Sequence, residues 1–181
     1  FHDGSQLTAA DVKYSIERVA LSDNSVRASF ALDSTGGVAL EHETSEENGT
    51  GPANAVPDSL GLNVVDDQTL EINISVPNPP ILDVLTYSAF APVPEGYVDD
   101  VPGYDGEVSV DQINSQEANG TGPFLFDSFT ESEEARVTRN DDYWGETASV
   151  EEIHWRIFSD PQAEYDYSVR EENADIFSIP T

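Results

Sequence analysis

The sequence has 181 residues, of which 36 are acidic and only 7 are Lys or Arg, and its formal net charge is -29. A chain with this charge repels phosphates and anionic lipid headgroups, which argues against nucleic-acid binding and against membrane docking through basic residues. Cysteine is absent, so disulfides, thiol nucleophiles and thiolate metal sites are excluded.

The first predicted element is a helix from about Ala9 to Leu21. Thr8 and Asp11 stand three residues apart, as in a capping box. Three apolar residues then recur at helical spacing: Val12, Ile16 and Val19. Residues 33–59 are polar and contain several Gly and Pro, which predicts a long loop with at most one short helix.

A β-hairpin is predicted from about Leu62 to Val76. Apolar and polar residues alternate there on both sides of a turn at Asp66-Asp67-Gln68. Asn78 followed by Pro79-Pro80 predicts the start of a short helix, with Asn78 as the N-cap. The Pro92-Val93-Pro94 run beyond that helix predicts an extended chain.

The last third of the chain is predicted to form a subdomain that begins near Asn119 and is rich in strands. Strands are indicated by alternating apolar residues at Phe124, Phe126, Val137, Ile153, Trp155 and Ile157. Asp160-Pro161 predicts the start of a helix from about Gln162 to Glu171, and Ala174–Ile179 a further strand. Hairpins mixed with single helices indicate an α+β (mixed α/β) fold class.

The sequence lacks the residue patterns of common catalytic and cofactor sites. The three histidines, His2, His42 and His154, are dispersed and have no metal-ligand spacing. No P-loop, dinucleotide fingerprint or nucleophile elbow occurs, and the Gly120–Pro123 run is typical of a tight turn entering a strand. We therefore expect no catalytic residue, no bound metal and no cofactor.

Two further patterns each allow two interpretations. N-x-S/T sequons at Asn48, Asn73 and Asn119 are glycan acceptors in an exported chain, or chance occurrences in a chain rich in Ser and Thr. Tyr143-Trp144 before Gly145 is typical of a sugar-stacking platform or of a core anchor closed by a glycine turn. The core interpretation is favoured, and it extends to Trp155.

The acidic residues are spread over the whole length, and Lys13 is the single lysine beside six arginines. Like charges at this density repel in dilute buffer, whereas at ~1 M salt the Debye length falls to about 3 Å and screens them. The composition resembles that of halophilic proteins, in particular haloarchaeal ones. An acidic protein from an ordinary organism is the alternative.

The order and spacing of several motifs resemble those of the extracellular solute-binding proteins of the peptide/nickel class of ABC importers. The motifs are Phe1–Gly4 with Leu7–Val12 and Ser15–Arg18, the hairpin Val65–Ile72, and Pro79-Pro80 with Pro92–Pro94. The most specific ones are Gly120–Phe124 and Arg139–Gly145, which resemble that family's GTGPY and RNxxYWG pair. The matches extend over most of the chain outside residues 30–60.

The resemblance implies a periplasmic-binding-protein-like type II fold, in which two lobes close around a ligand. Residues 1–118 correspond to the small extra domain of the first lobe and residues 119–181 to part of its main domain, and the second lobe is absent. Closure needs ligand contacts to both lobes, so this segment alone should bind substrate weakly. Because residue 1 is Phe and methionine is absent, we expect a longer chain whose signal peptide or lipid anchor lies outside these residues.

The resemblance also implies a ligand site at Tyr87, Ser88 and Phe90, since the segment before Pro-Val-Pro approaches the cleft in that family. Ordinary packing is the alternative for all three. A nickel-binding member has an arginine at about the place of Phe90, so an aromatic residue there suits a peptide side chain or a sugar better than an anionic chelate. The implied partners are a di- or oligopeptide and the ABC permease of an extracellular, membrane-anchored protein that is monomeric when full length.

Three functions remain open on the sequence alone. The first is non-enzymatic peptide import, with nickel chelates or oligosaccharides as alternative ligands. The second is a secreted halophilic hydrolase, but among 36 acidic residues some pairs reach glycosidase spacing by chance. The third is a surface module that holds Ca²⁺ between chains, although no EF-hand-like string is present.

Overall fold

The computed structural model describes residues 1–21, 27–32, 37–41, 60–97, 118–170 and 174–176. The chain divides into two compact units, Phe1–Ile113 with Asn119–Thr121 and Asn114–Ala118 with Gly122–Thr181. Both units combine helices with antiparallel strands, as the α+β prediction requires. Over the described ranges no helix is both long and apolar enough to cross a membrane.

The first unit is built from short helices and one hairpin. Its elements are α1 (Ala9–Leu21), α2 (Ala28–Leu32), β1 (Leu62–Asp66), β2 (Thr69–Ile72), α3 (Ile81–Leu85) and a 3-10 turn at Ser88–Phe90. The two strands pair antiparallel with Leu62 opposite Ile72, and Leu40 forms an isolated antiparallel bridge with Ile74. The predicted first helix, the hairpin and the helix after the two prolines are confirmed.

The core of the first unit includes a segment that the sequence analysis treated as loop. Val38, Ala39 and Leu40 are at most 1% exposed. The amides of Val38 and Leu40 donate to the carbonyls of Phe30 and Ala31 at the end of α2, which satisfies acceptors that a helix leaves unpaired. These residues form no helix or strand, as the loop prediction requires, but their burial was not predicted, because three apolar residues are too few to show a period. The parts of the predicted loop at 33–36 and 42–59 lie outside the described residues.

The N-terminus of α1 joins three segments of the first unit. Asp11 is 8% exposed, and its Oδ2 accepts hydrogen bonds from the amide (2.7 Å) and hydroxyl (2.8 Å) of Thr8. Its Oδ1 accepts the amide of Glu95 at 2.8 Å. The Ala9 amide donates to the carbonyl of Asp67 in the hairpin turn at 2.8 Å. The predicted capping box is confirmed, and its carboxylate also holds a segment 84 residues away.

Ser15, one turn further along α1, holds the same distant segment. Its hydroxyl is fully buried, donates to the carbonyl of Asp11 at 2.8 Å and accepts the amide of Val93 at 2.9 Å. Pro92 and Pro94 have no amide hydrogen, so Val93 and Glu95 carry the amides of this stretch, and α1 accepts both. Residues 92–94 lie in no helix, strand or turn, and their extended conformation stays a prediction.

The predicted N-cap of α3 is wrong. Pro80 occupies the N-cap position and no side chain caps the helix. The side-chain amide of Asn78 donates instead to the carbonyl of Gly37 at 2.7 Å, and the carbonyl of Asn78 accepts the amide of Ile81 at 3.1 Å. With Asn78 as N-cap, Pro80 at the N2 position would have no amide to donate, and the N3 amide of Ile81 is already bonded to the carbonyl of Asn78.

The second unit contains a three-stranded antiparallel sheet followed by a helix. The strands β3 (Phe124–Thr130), β4 (Glu134–Arg139) and β5 (Glu152–Arg156) lie in the order β3-β4-β5. Helix α4 (Pro161–Tyr165) is capped by Asp160, whose carboxylate accepts the amide of Gln162, and continues as a π-helical turn at Asp166–Arg170. The predicted strands and capped helix are confirmed. Residues 174–176 are not in a strand, and 177–179 lie outside the described residues.

The motif Arg139–Gly145 forms a turn tied to the start of β3. The amide of Asn140 donates to the carbonyl of Pro123 at 2.9 Å. A Cβ at Gly145 would lie 2.8 Å from the Tyr143 ring, so the glycine makes room for that tyrosine. Trp144 is 82% exposed and Trp155 49% exposed. The interpretation of these two tryptophans as core anchors is therefore wrong for the structure described.

We expect Asp11→Ala to lower the free energy of unfolding by about 2–4 kcal/mol, because it removes a helix cap and leaves the amides of Thr8 and Glu95 without their acceptor. Urea unfolding of the variant and the parent measures the difference. Asp142→Ala, which truncates an exposed carboxylate, is the matched control and should stay within about 0.5 kcal/mol of the parent. Equal losses in both variants would show that Asp11 does not hold the segment.

The same carboxylate should make the fold sensitive to acid. Burial acts to raise the pKa of Asp11, but hydrogen bonds from the Glu95 amide and from Thr8 outweigh it and hold the pKa below the ordinary 3.8. A lowered pKa contributes stability that is present above the unfolded-state pKa and is lost as pH falls through the folded-state pKa. Unfolding free energies measured between pH 7 and about pH 3 should therefore fall more steeply for the parent than for Asp11→Asn; parallel curves would contradict this.

Candidate functional site

The predicted ligand-site residues Tyr87, Ser88 and Phe90 lie at the end of α3. The amide of Tyr87 donates to the carbonyl of Val84 at 3.1 Å, and the amide of Phe90 donates to the carbonyl of Tyr87 at 2.9 Å. The helix therefore runs directly into the 3-10 turn. Beyond the turn the chain is held by Ser15 and Asp11 through the amides of residues 93 and 95, so the candidate residues are fixed at both ends.

Tyr87 and Ser88 line an open cleft of about 410 Å³. The remaining lining residues are Phe30, Asp83, Val84 and Thr86. The wall thus combines two aromatic rings and a valine with one carboxylate and three hydroxyl groups. Such a surface suits an apolar group that is flanked by polar ones.

Phe90 lies in the core behind the cleft wall and does not line the cleft. It is 4% exposed and belongs to the core of the first unit. Its ring stacks on Phe30 with centroids 5.9 Å apart, and Phe30 in turn contacts the ring of Tyr87 at 5.2 Å. Three rings therefore form a row from the core to the cleft wall, and Tyr87, at 39% exposed, is the outermost.

Two residues of this site, Phe30 and Arg27, were not singled out in the sequence. Phe30 belongs to the short helix α2, and the guanidinium carbon of Arg27 lies 5.3 Å from the centre of the Tyr87 ring. A cation at this distance over an aromatic ring is attracted to it and limits its orientations. Both residues precede Tyr87 by more than fifty positions, so no local pattern could have joined them to it.

The carboxyl groups whose pKa is displaced in the described part of the chain do not resemble an acid catalyst. Hydrogen bonds lower the pKa of Asp3 (from Ser5), of Asp66 (from the Gln68 amide) and of Glu134 (from Arg136), and that of Asp11 is lowered as described above. A general acid working near neutral pH needs a raised pKa. Within the same ranges no group of three or more metal-ligating side chains is placed to hold an ion.

The remaining singled-out polar residues have structural partners. The Nδ1 of His2 accepts the Gly120 amide at 3.4 Å, and the Nε2 of His154 lies 2.8 Å from Glu134. The Asn119 side chain donates to Asp3 at 2.8 Å, which joins the opening motif to the glycine turn. The Asn73 side chain donates to Glu71. His42 and Asn48 lie outside the described residues, and glycan attachment at any of the three sequons stays a prediction.

The sequence matches the family model "Bacterial extracellular solute-binding proteins, family 5 Middle" over residues 1–181. The dipeptide-binding protein DppE of Bacillus subtilis is 24% identical over 164 residues, which cover 90% of this chain and 27% of DppE. This chain therefore spans about a quarter of the length of that relative.

Solved structures with the same fold are also found. The murein tripeptide binding protein MppA of Escherichia coli superposes with a TM-score of 0.72 at 22% identity, covering 96% of this chain and 31% of MppA. OppA of Haemophilus influenzae, in complex with RPPGFSPFR, gives a TM-score of 0.67 at 17% identity over 96% of this chain and 31% of OppA. These neighbours are two-lobed periplasmic binding proteins, so the expected fold class is confirmed.

Proposed function

From the premise that this chain belongs to the family 5 bacterial extracellular solute-binding proteins, we propose that the whole protein captures di- and oligopeptides outside the cell and delivers them to the permease of an ABC importer. The family match over the full chain supports import. The dipeptide-binding relative DppE and the peptide-named structures MppA and OppA support a peptide ligand over nickel chelates and oligosaccharides.

The proposed protein binds its ligand and does not transform it. Solute-binding families work by enclosing a ligand and releasing it to a membrane partner, and neither step needs a catalytic group. The lowered carboxyl pKa values of the described residues also disfavour the hydrolase alternative. We therefore assign no catalytic residue, no cofactor and no metal to this chain, and we propose that the full-length protein acts as a monomer.

Within the two-lobed layout, residues 1–118 are the small extra domain of the first lobe and residues 119–181 part of its main domain. The division of the chain into two compact units supports this arrangement. A ligand drives closure only through contacts that it makes in the closed state and lacks in the open one. The 181 residues by themselves should therefore bind peptide weakly, and binding experiments need the full-length protein.

The observation that carries the site is the open cleft with Tyr87 and Ser88 in its wall. We assign these two residues to contact with a peptide side chain, and Phe90 to support of the Tyr87 ring through Phe30. The charged guanidinium group of Arg27 lies over the ring of Tyr87. Because the row of rings is built on the core, little ligand binding energy is needed to order this wall.

Peptide binding should raise the thermal unfolding midpoint of the full-length protein, because a ligand that binds only the folded state stabilises it. We expect a rise with di- to pentapeptide mixtures in ~2 M KCl, and a roughly tenfold weaker Kd, about 1.4 kcal/mol, for Tyr87→Ala. Leu82→Ala is the matched control, since Leu82 lies on the preceding helix α3 and is 76% exposed.

These outcomes test the peptide assignment independently of the family assignment. A rise with oligosaccharides or nickel chelates and none with peptides would overturn the peptide assignment. Equal affinities of the Tyr87→Ala variant, the Leu82→Ala variant and the parent would remove Tyr87 from the site. Circular dichroism of each variant shows whether a loss of affinity reflects loss of fold.

We place the protein outside the cell, anchored to the outer face of the membrane of a halophilic organism, and more narrowly of a haloarchaeon. The family is extracellular, and the charge supports the habitat. With 36 acidic and 7 basic side chains, one-to-one ion pairs neutralise at most seven carboxylates. The remaining carboxylates depend on solvent cations for screening.

Stability should therefore increase with salt. We expect the thermal unfolding midpoint to rise steadily between about 0.1 M and 2 M KCl, as the Debye length falls from about 10 Å to below 3 Å. A variant with fewer exposed charges should rise less, and the side chains to neutralise as Gln or Asn are Glu131, Glu133, Asp142 and Glu146. A midpoint that is independent of salt would overturn the halophilic assignment and leave the peptide site untouched.

A further inference from the structure

Two of the N-x-S/T sequons, at Asn73 and Asn119, lie in the described part of the chain. A sequon is an acceptor for an N-linked glycan when the chain is exported. The transferase must take the side-chain amide of the asparagine into its own active site. The two described asparagines can therefore be compared by how firmly their side-chain amides are held.

Asn73 lies on the outward side of the segment that continues strand β2. Its neighbours Ile72 and Ile74 pack against the core of the first unit, and successive side chains of an extended chain point to opposite sides. The backbone is paired on both edges, since the Asn73 amide donates to the carbonyl of Gly61 at 2.6 Å and the Asn73 carbonyl accepts the amide of Glu41 at 2.9 Å. The side chain of Asn73 is therefore directed away from the core.

The surroundings of the Asn73 side chain leave room for a bulky group. The residue across from it is Gly61, where a Cβ would lie 2.9 Å from the Cβ of Asn73, so no side chain covers Asn73 from that position. Glu71 and Ser75, which flank it on the same side of the segment, are both exposed. The side-chain amide of Asn73 donates to Glu71 at 3.2 Å. An amide that carries a glycan keeps one of its two hydrogens, so this bond can persist.

Asn119 is held more firmly. Its Nδ2 donates to the Oδ2 of Asp3 at 2.8 Å, and its Oδ1 accepts the amide of Asp3 at 3.2 Å. These two hydrogen bonds join segments that are 116 residues apart in sequence. Transfer of a glycan to the folded chain would have to break both bonds, and a glycan added before folding would place its bulk on the nitrogen that contacts Asp3. Either order of events favours Asn73 over Asn119.

We propose that Asn73 carries an N-linked glycan in the exported protein and that Asn119 does not. The second substrate is an oligosaccharide activated by a phosphate leaving group, and a transferase of the host catalyses the step. The Nδ2 of Asn73 forms a bond to the anomeric carbon and gives up one proton to a base of the transferase. The bond from the anomeric carbon to the phosphate oxygen breaks, and the phosphate leaves with the electron pair. The proposal rests on the proposed location outside the cell and does not depend on the ligand.

Mass spectrometry of the full-length protein tests the proposal site by site. Cleavage after glutamate places the three sequons in separate peptides, 48–71, 72–95 and 118–131. In protein recovered from the outside of the cells that naturally produce it, most of peptide 72–95 should carry an added saccharide mass. Peptide 118–131 should have the mass of its unmodified sequence.

Four variants produced in the same cells identify the attachment site. Asn73→Gln and Ser75→Ala should each remove the added mass from peptide 72–95, because each destroys the sequon. Ser75→Thr preserves the sequon and should retain the mass, as should the matched control Asn119→Gln. Circular dichroism of each variant shows whether a loss of the mass accompanies a loss of fold.

The contrary results are distinct from one another. An unmodified peptide 72–95 in protein recovered outside the cell would overturn the glycan site and leave the location standing. A saccharide on peptide 118–131 would overturn the distinction between the two asparagines. Loss of the added mass in folded Ser75→Thr protein would overturn attachment at this sequon. Protein found only inside the cell would overturn the export on which the site depends.

Discussion

The carboxylate of Asp11 connects the local structure of one helix to the rest of the first unit. One oxygen accepts hydrogen bonds from the amide and the hydroxyl of Thr8 at the start of α1. The other accepts a hydrogen bond from the amide of Glu95, which follows the candidate site. The energetic balance favours the ionised form despite burial, because several donors converge on it. Ser15 adds the amide of Val93. Without these contacts the stretch between two prolines would have no fixed position, and the turn that carries Tyr87 and Ser88 would be held at one end only.

This arrangement explains how a chain with 36 acidic residues builds its cleft wall on a packed core. The buried apolar residues are gathered under α1, α2 and the hairpin, and the row Phe90, Phe30, Tyr87 leads from that core to the cleft. Apart from Asp11, the acidic side chains of the described residues are at least partly exposed, where salt can screen them. Apolar packing is therefore concentrated in one small core, and the repulsion between acidic side chains is screened by ions of the solvent.

Elements with a strong local signal could be predicted from the sequence, and elements defined by distant partners could not. Helix α1 has a period and a capping pair within thirteen residues, and Asp160-Pro161 is a start signal that needs no tertiary contact. Val38–Leu40 and α2 lack both, because they are short and depend on each other. The candidate residues Tyr87 and Ser88 came from the resemblance to a family. Phe30 and Arg27, which shape the same cleft, could be found only once the chain had brought α2 to the end of α3.

The two units differ in the way they reach stability, and this difference bears on function. The first unit has its own core, so the wall of its cleft is ordered before any ligand arrives and little entropy is lost there on binding. The second unit offers one hydrated face and one apolar face with no buried apolar residue in its described part. A surface of the first kind suits recognition. Rigid-body closure favours ligand contacts on a surface that does not deform, and we propose Tyr87 as such a contact because core rings set its position.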